Sequence, residues 1–248
     1  MDSGFYAACT ALMARSQTLD LIANNLANLS TSGYRAQHSS FSSLLATSSA
    51  VPLSGLNQAV NDYSVVGGGQ LDLSQGSLER TGNDLDLGIE GHGFFAVQTA
   101  SGQLFTRDGN FHVSPKGQLI TSTGDTVLGT DNRPIPIVGA PVSVSPDGTI
   151  SVNGALAGQL KVVDFPAGTP LRSTGKTYYS APENTGVPAT GASIQQGMLE
   201  GSNVNPVASS IELITVQRYA ELMQRALTMF HTEMNQTATQ DLPKVTSF

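Results

Sequence analysis

From Leu213 the chain carries apolar residues at an unbroken spacing of three and four: Leu213, Val216, Ala220, Met223, Leu227, Phe230 and Met234. That period is the stripe of an amphipathic helix. The charged residues of the stretch, Glu212, Arg218, Glu221, Arg225 and Glu233, all avoid those positions. Asn205-Pro206 supplies a start, with Asn205 suited to the N-cap and Pro206 to the first turn, and Pro243 lies beyond the end. The pattern predicts a C-terminal helix with a seam for a partner helix.

Residues 5–29 form a second helical pattern. Phe5, Leu12, Leu19 and Leu26 recur every seven residues, with Ala8, Ile22 and Leu29 on the adjoining row. Arg15-Ser16 interrupts the stripe, so the seam is weaker than the C-terminal one. Asn24, Asn25 and Asn28 crowd its end, where their low helix propensity is costly unless the amides bond across helices or subunits and set the register. Ser30-Thr31-Ser32-Gly33 stops the helix, with Gly33 free to take a positive φ. Burying either stripe about offsets the entropy of ordering its helix. Both ends are therefore expected to be frayed in a free monomer and to order on docking.

Between the helices the pattern changes. A serine-rich stretch, residues 39–75, lacks helical period and reads as an extended arm. From Gln75 to about Thr190 the chain reads as strands and turns. Leu85, Leu87 and Ile89 alternate with polar neighbours and lead into Gly91-His92-Gly93-Phe94-Phe95. Val113-Ser114-Pro115-Lys116-Gly117-Gln118-Leu119 is echoed by Val144-Ser145-Pro146-Asp147-Gly148-Thr149-Ile150, each predicting a hairpin. The division expected is 1–33 for the N-terminal helix, 34–75 for the arm, 76–198 for a β-rich outer domain and 199–248 for the C-terminal helix. The fold class is α+β, with paired terminal helices in a coiled-coil layer flanking a mainly antiparallel β domain.

Composition narrows the function. Of the 248 residues only 12% are charged, about half the usual share. The first 33 residues hold just Asp2, Arg15 and Asp20, too few to solvate a helix on all sides. A net charge of −7 argues against nucleic acid and anionic membrane surfaces, which select basic patches. One cysteine, Cys9, rules out an internal disulfide framework. No stretch has the length and apolarity of a membrane span, and Met1-Asp2-Ser3 does not open a cleavable signal peptide.

Catalytic candidates are weak. His92 between two glycines reads as an incidental residue of a tight turn. Asp84 and Asp86 read as the solvated face of a strand, and Cys9 as a small hydrophobe on an apolar helix. The histidines at 38, 92, 112 and 231 lack the spacing of a metal site, and no phosphate loop, dinucleotide fingerprint or nucleophile elbow is present. No cofactor, small-molecule substrate or enzymatic activity is expected.

Ile22-Ala23-Asn24-Asn25-Leu26-Ala27-Asn28 with Gly33-Tyr34-Arg35 resembles the N-terminal signature of the flagellar rod and hook proteins. Leu199-Glu200-Gly201-Ser202-Asn203-Val204-Asn205-Pro206-Val207 with Gln217-Arg218-Tyr219 resembles their C-terminal signature. Leu85 to Phe95 and Thr106-Arg107-Asp108-Gly109-Asn110-Phe111 are similar to the family's β domain. Leu29-Ser30 and Arg218-Tyr219-Ala220 depart from the family pattern, which more often has Val-Asn and Arg-Ala-Tyr there.

The resemblance implies a structural subunit of the basal-body rod, polymerising through its terminal helices into the drive shaft and export channel between motor and hook. It implies passage through the type III export apparatus without a cleaved signal, and assembly in the periplasm with itself and other rod proteins. The subunit interface is then expected at Phe5, Leu12, Leu19, Ile22, Asn24, Asn25, Leu26, Asn28, Leu213, Val216, Ala220, Met223, Leu227, Phe230 and Met234. Gly33, Tyr34, Gly201, Ser202, Asn203 and Asn205 are expected as helix stop and linker. Two other readings compete: a secreted β-rich binding or adhesive protein with oligomerising helices, and a hydrolase using Asp84, Asp86 or His92.

Overall fold

The computed structural model describes residues 2–41, 66–175 and 177–240. Most of the serine-rich arm, residues 42–65, lies outside them. The chain divides into two compact units. One comprises residues 1–26, 37–70 and 206–248; the other comprises 27–36 and 71–205.

The first unit contains the helices α1 (Asp2–Ala27) and α2 (Pro206–Gln240) and a two-stranded sheet of β1 (Gln37–Phe41) and β2 (Val66–Leu71). α1 has no proline and no glycine after Gly4, so nothing in its interior breaks the backbone ladder. Its buried row is Ala14, Thr18, Ile22 and Asn25, which advances by four, four and three. The buried Thr18 hydroxyl donates to the Ala14 carbonyl at 2.9 Å, so the polar atom in that row is satisfied. α2 begins at Pro206, as Asn205-Pro206 predicts, because proline fits a first turn whose amide has no helical partner. Among the described residues neither helix is long and apolar enough to cross a membrane.

The second unit is a β domain whose strand pairings among the described residues are all antiparallel. Its largest sheet holds β5 (Phe94–Thr99), β6 (Gly102–Thr106), β7 (Phe111–Val113), β8 (Leu119–Thr121), β9 (Thr126–Val127), β13 (Val162–Asp164), β14 (Arg172–Ser173), β15 (Tyr178–Ser180) and β16 (Val187–Pro188). They run in the order β14–β15–β6–β5–β9–β8–β7, with β13 also paired to β5 and β16 paired to β13. A three-stranded sheet holds β10 (Val142–Val144), β11 (Thr149–Val152) and β12 (Ala155–Gln159). Two pairs complete the unit: β4 (Leu87–Glu90) with β17 (Ser193–Gln196), and β3 (Leu78–Arg80) with β18 (Met198–Glu200).

Both predicted hairpins form, and with the same turn. Val113 pairs with Leu119 and Val144 with Ile150. In each turn the glycine amide, Gly117 or Gly148, donates to the serine carbonyl three residues back. Phe94 and Phe95 are adjacent on β5 and so point to opposite faces of the sheet. Phe95 packs edge-on against Phe111, with ring centroids 5.1 Å apart, in the main core with Leu87, Ile89, Leu119 and Ile150. Phe94 enters a second cluster with Val163, Phe165, Leu171 and Tyr179. β5 is therefore buried on both sides, which explains its apolar run without alternation.

Candidate functional site

The stretch that follows α1 and the stretch that precedes α2 meet inside the β unit. After α1 the chain turns, with the Thr31 amide donating to the Asn28 carbonyl at 3.2 Å and the Tyr34 amide to the Thr31 carbonyl at 3.3 Å. Gly33 sits at φ +69°, and its amide donates to the Glu200 carbonyl at 2.7 Å. A Cβ there would lie 2.2 Å from the Asp108 backbone nitrogen, so position 33 excludes a side chain by both conformation and space. Asn203 fastens the other side. Its Oδ1 accepts the Ala36 amide at 2.7 Å, while its Nδ2 donates to the Asp72 carbonyl at 2.9 Å and the Ser74 carbonyl at 3.1 Å. Tyr34, Ala36 and Val204 pack together with Leu29 as a small apolar cluster over these bonds.

At the centre lies a buried charge triad. Glu200 Oε1 accepts from Arg35 Nη2 at 2.5 Å and from the Gly76 amide at 2.9 Å; Oε2 accepts from Arg107 Nη1 at 2.9 Å. Arg107 also donates to the carbonyls of Ile89 and Gly91, at 3.3 and 2.7 Å, and its guanidinium lies 5.3 Å from the Phe94 ring centroid. The side chains of Arg35, Arg107 and Glu200 are 0%, 2% and 0% exposed. Two guanidinium groups therefore share one carboxylate away from water, and carbonyl dipoles and a π face carry the rest. The Nε atoms of both arginines have no acceptor among the described residues.

Burial dominates the electrostatics here. It pulls the Arg107 pKa down from its usual value, a shift that Glu200 opposes and Arg35 reinforces. It pushes the Tyr179 phenol well above its usual range, with Arg35 opposing. The Tyr179 hydroxyl accepts the Arg35 amide at 3.0 Å and donates to the Gly33 carbonyl at 3.4 Å, so the second apolar cluster ends on the junction.

Of the linker residues expected from the sequence, Gly33, Tyr34 and Asn203 come together here. The Gly201 amide donates to Ser77, the Ser202 hydroxyl accepts the Val204 amide, and Asn205 stands exposed just before α2. Arg35, Arg107 and Glu200 lie within the three signature stretches but are not among the residues expected at the interface or linker. Arg35 and Glu200 each stand as a lone charge among uncharged neighbours, and Arg107 is followed directly by Asp108.

The helix residues are placed as follows. On α1, Ile22 and Asn25 are buried, Leu12, Leu19, Leu26 and the neighbouring Asn28 are half-buried, and Asn24 is exposed. The Asn25 amide bonds both backbone groups of Gln37, donating to its carbonyl at 2.8 Å and accepting its amide at 3.0 Å. Asn24 donates to the Asp20 carbonyl, and Asn28 accepts the Thr31 hydroxyl. On α2, Val216 and Ala220 are buried and Leu213, Met223 and Leu227 half-buried. The Arg15 guanidinium lies 5.4 Å from the ring centroid of Tyr219. The side chains of Phe5, Phe230 and Met234 lie outside the described residues.

The weak catalytic candidates do not assemble. His92 and Asp84 are exposed and Cys9 is half-buried in α1. Asp86 departs from the expected solvated face: it is 4% exposed, bridged to Asn110 just before β4, and its carboxylate accepts the Asn83 amide group at 3.1 Å. Among the described residues no three His, Cys, Asp or Glu side chains could hold a metal ion.

Three family models match the chain in order. Residues 5–35 match the flagella basal body rod protein model, 88–152 the flagellar hook protein FlgE/F/G D1 domain, and 195–241 the flagellar basal body rod FlgEFG protein C-terminal model. The junction joins the end of the first match to the start of the third. The chain is 34% identical to the flagellar basal-body rod protein FlgF of Caulobacter vibrioides, over 99% of this chain and 100% of the relative. It is 35% identical to FlgF of Salmonella typhimurium, over 92% and 94%. Against the rod protein FlgG of Agrobacterium fabrum it is 30% identical, over 89% and 92%. The chain thus belongs to the flagellar basal-body rod protein family, whose members are structural proteins rather than enzymes.

Proposed function

We propose that this chain is a structural subunit of the flagellar basal-body rod and polymerises through α1 and α2 into the shaft and export channel between motor and hook. The observation that carries the reading is the end-to-end likeness to rod proteins, which takes in both terminal helices and the β domain. The same likeness does not favour a secreted adhesive protein.

Within the chain, α1 and α2 pair as a coiled-coil layer. Ala14, Thr18, Ile22 and Asn25 form one side of the seam, and Leu213, Val216, Ala220, Met223 and Leu227 the other. The contact of Arg15 with Tyr219 supports this pairing, because it puts the residue that interrupts the α1 stripe to use as a cation over an aromatic ring. The helices supply the axial contacts of the assembly. The partners are further copies and other rod proteins, with the type III export apparatus met in transit. The site of assembly is the periplasm-spanning rod.

The test is to purify basal bodies from a strain carrying a tagged chain and from its deletion strain. The chain should co-purify with the other rod proteins, and the deletion should abolish swimming. A chain absent from basal bodies, with swimming unchanged in the deletion, ends this reading.

A further inference from the structure

The three segments that meet at the junction do not play equal parts. Residues 198–203 bond to both of the others. On one side β18 pairs with β3, Glu200 facing Leu78, and the Gly201 amide donates to the Ser77 carbonyl at 2.7 Å. On the other side the Glu200 carbonyl accepts the Gly33 amide, and Asn203 Oδ1 accepts the Ala36 amide, each at 2.7 Å. The segment 72–80 reaches the stretch 33–36 directly at Asp72, whose amide donates to the Ala36 carbonyl at 2.8 Å. Residues 198–203 thus bridge the junction, and they come last of its segments in chain order.

The charges follow the same order. Arg107 is seated without help from Glu200, because the Ile89 and Gly91 carbonyls and the Phe94 ring hold it. Arg35 is not. Among the described residues its guanidinium donates to Glu200 and, at 3.5 Å, to the carbonyl of the adjacent Tyr34. Burial lowers the Arg107 pKa, Glu200 raises it, Arg35 lowers it again, and Asp164 raises it by less than Arg35 lowers it. The two guanidinium groups therefore repel, and Asp164 does not offset the repulsion. Without Glu200, docking residues 33–36 would bury a second cation beside one already standing there.

We infer that Glu200 is an electrostatic latch of the β unit: Arg35 and Arg107 keep the stretch 33–36 undocked until residues 198–203 are in place, and the carboxylate then turns their repulsion into the triad. The chain is made from its N-terminus, so Arg35 and Arg107 are both present before Glu200, which follows Arg107 by 93 residues. The stretch that leaves α1 therefore joins the β unit late, after the strands that carry Phe94 and Tyr179. An incomplete chain keeps its junction open, and closure marks a complete one. A junction of neutral side chains would let 33–36 dock at any stage.

Amide hydrogen exchange on the full-length chain tests the latch. The reporters are the amides of Arg35 and Ala36, whose acceptors, the Tyr179 hydroxyl and Asn203 Oδ1, stay unaltered. The Ala96 amide, which donates to the Lys161 carbonyl, reports the sheet. In E200Q both reporters should exchange at least about tenfold faster relative to Ala96 than in wild type. R35M/E200Q also removes the repulsion, and should return that ratio to within about threefold of wild type. A ratio as high in R35M/E200Q as in E200Q overturns the latch, because Glu200 would then hold the stretch by attraction alone. An unchanged ratio in E200Q overturns it too, since the triad would then support the whole sheet. Should E200Q fail to fold, recovery of all three amides in R35M/E200Q supports the latch, and an unfolded R35M/E200Q overturns it.

Discussion

Arg35 and Glu200 stand 165 residues apart in the chain and 2.5 Å apart in space, both with fully buried side chains. The arginine closes the stretch that leaves α1, and the glutamate opens the stretch that enters α2. Their pairing, completed by Arg107, joins the two linker stretches at one point within the β unit. Removing the carboxylate strands two cations in the interior, where losing one partner costs about 3–5 kcal/mol. Glu200→Gln should lower unfolding stability by at least that range in urea titrations. R35M/R107M/E200L, which removes every charge at once, should recover most of the loss. An unshifted E200Q midpoint would show that the triad contributes little.

Gly33 should tolerate no side chain. At φ +69°, with the Asp108 nitrogen 2.2 Å from where a Cβ would sit, Gly33→Val must displace the loop that carries Arg107. The backbone conformation alone costs about 1–3 kcal/mol for a non-glycine residue. Thermal unfolding should fall by more than that conformational share, and an unchanged melting temperature would contradict the close approach.

Alkaline pH should open the β unit. In the folded chain burial holds the Tyr179 phenol protonated far above its usual range, whereas in the unfolded chain it ionises near pH ~10. Above that pH the unfolded state binds fewer protons, so stability present below pH ~10 is lost as pH rises, by up to about 1.4 kcal/mol per pH unit for this group. Tyr34 and Tyr178 shift in the same direction. Tyr179→Phe should flatten the decline between pH 10 and 12 in denaturant midpoints; a slope equal to wild type would remove Tyr179 from the effect.

Asn25 substitutes for a strand partner at Gln37. Asn25→Leu keeps the volume but leaves the Gln37 amide and carbonyl without that partner, at about 1–3 kcal/mol for a buried group. Hydrogen exchange at the Gln37 amide should speed up at least tenfold in the variant. Exchange at the wild-type rate would mean that the amide is protected by other means.

The seam should matter more to assembly than to the β unit. Leu227→Asp places a charge in the proposed helix pair and should abolish entry into basal bodies while leaving denaturant unfolding of the β unit in place. In the wild-type monomer, amides of residues 5–29 and 210–236 should exchange far faster than those of β5. Strong protection across both helices in the monomer would show that they need no docking to order.

Helical period, turn chemistry and the start at Asn205-Pro206 are local properties, and they were legible from residues a few positions apart. Hence α1, α2 and the two like hairpins follow from the sequence, and its signatures point to the family. The double burial of β5 was only half visible, since Phe94-Phe95 announces an apolar strand without saying that a second cluster awaits its other face. Asp86 was misplaced for a related reason: alternation predicts which face a side chain takes, not whether that face is covered. The partnership of Arg35, Arg107 and Glu200 has no local signature at all. It exists because three segments far apart in sequence exclude water from one point, and only that exclusion makes their opposite charges inseparable. Local pattern sets which segments become helix or strand and which apolar residues seek cover. The tertiary structure decided which of them meet, because desolvation and contact are properties of position in space.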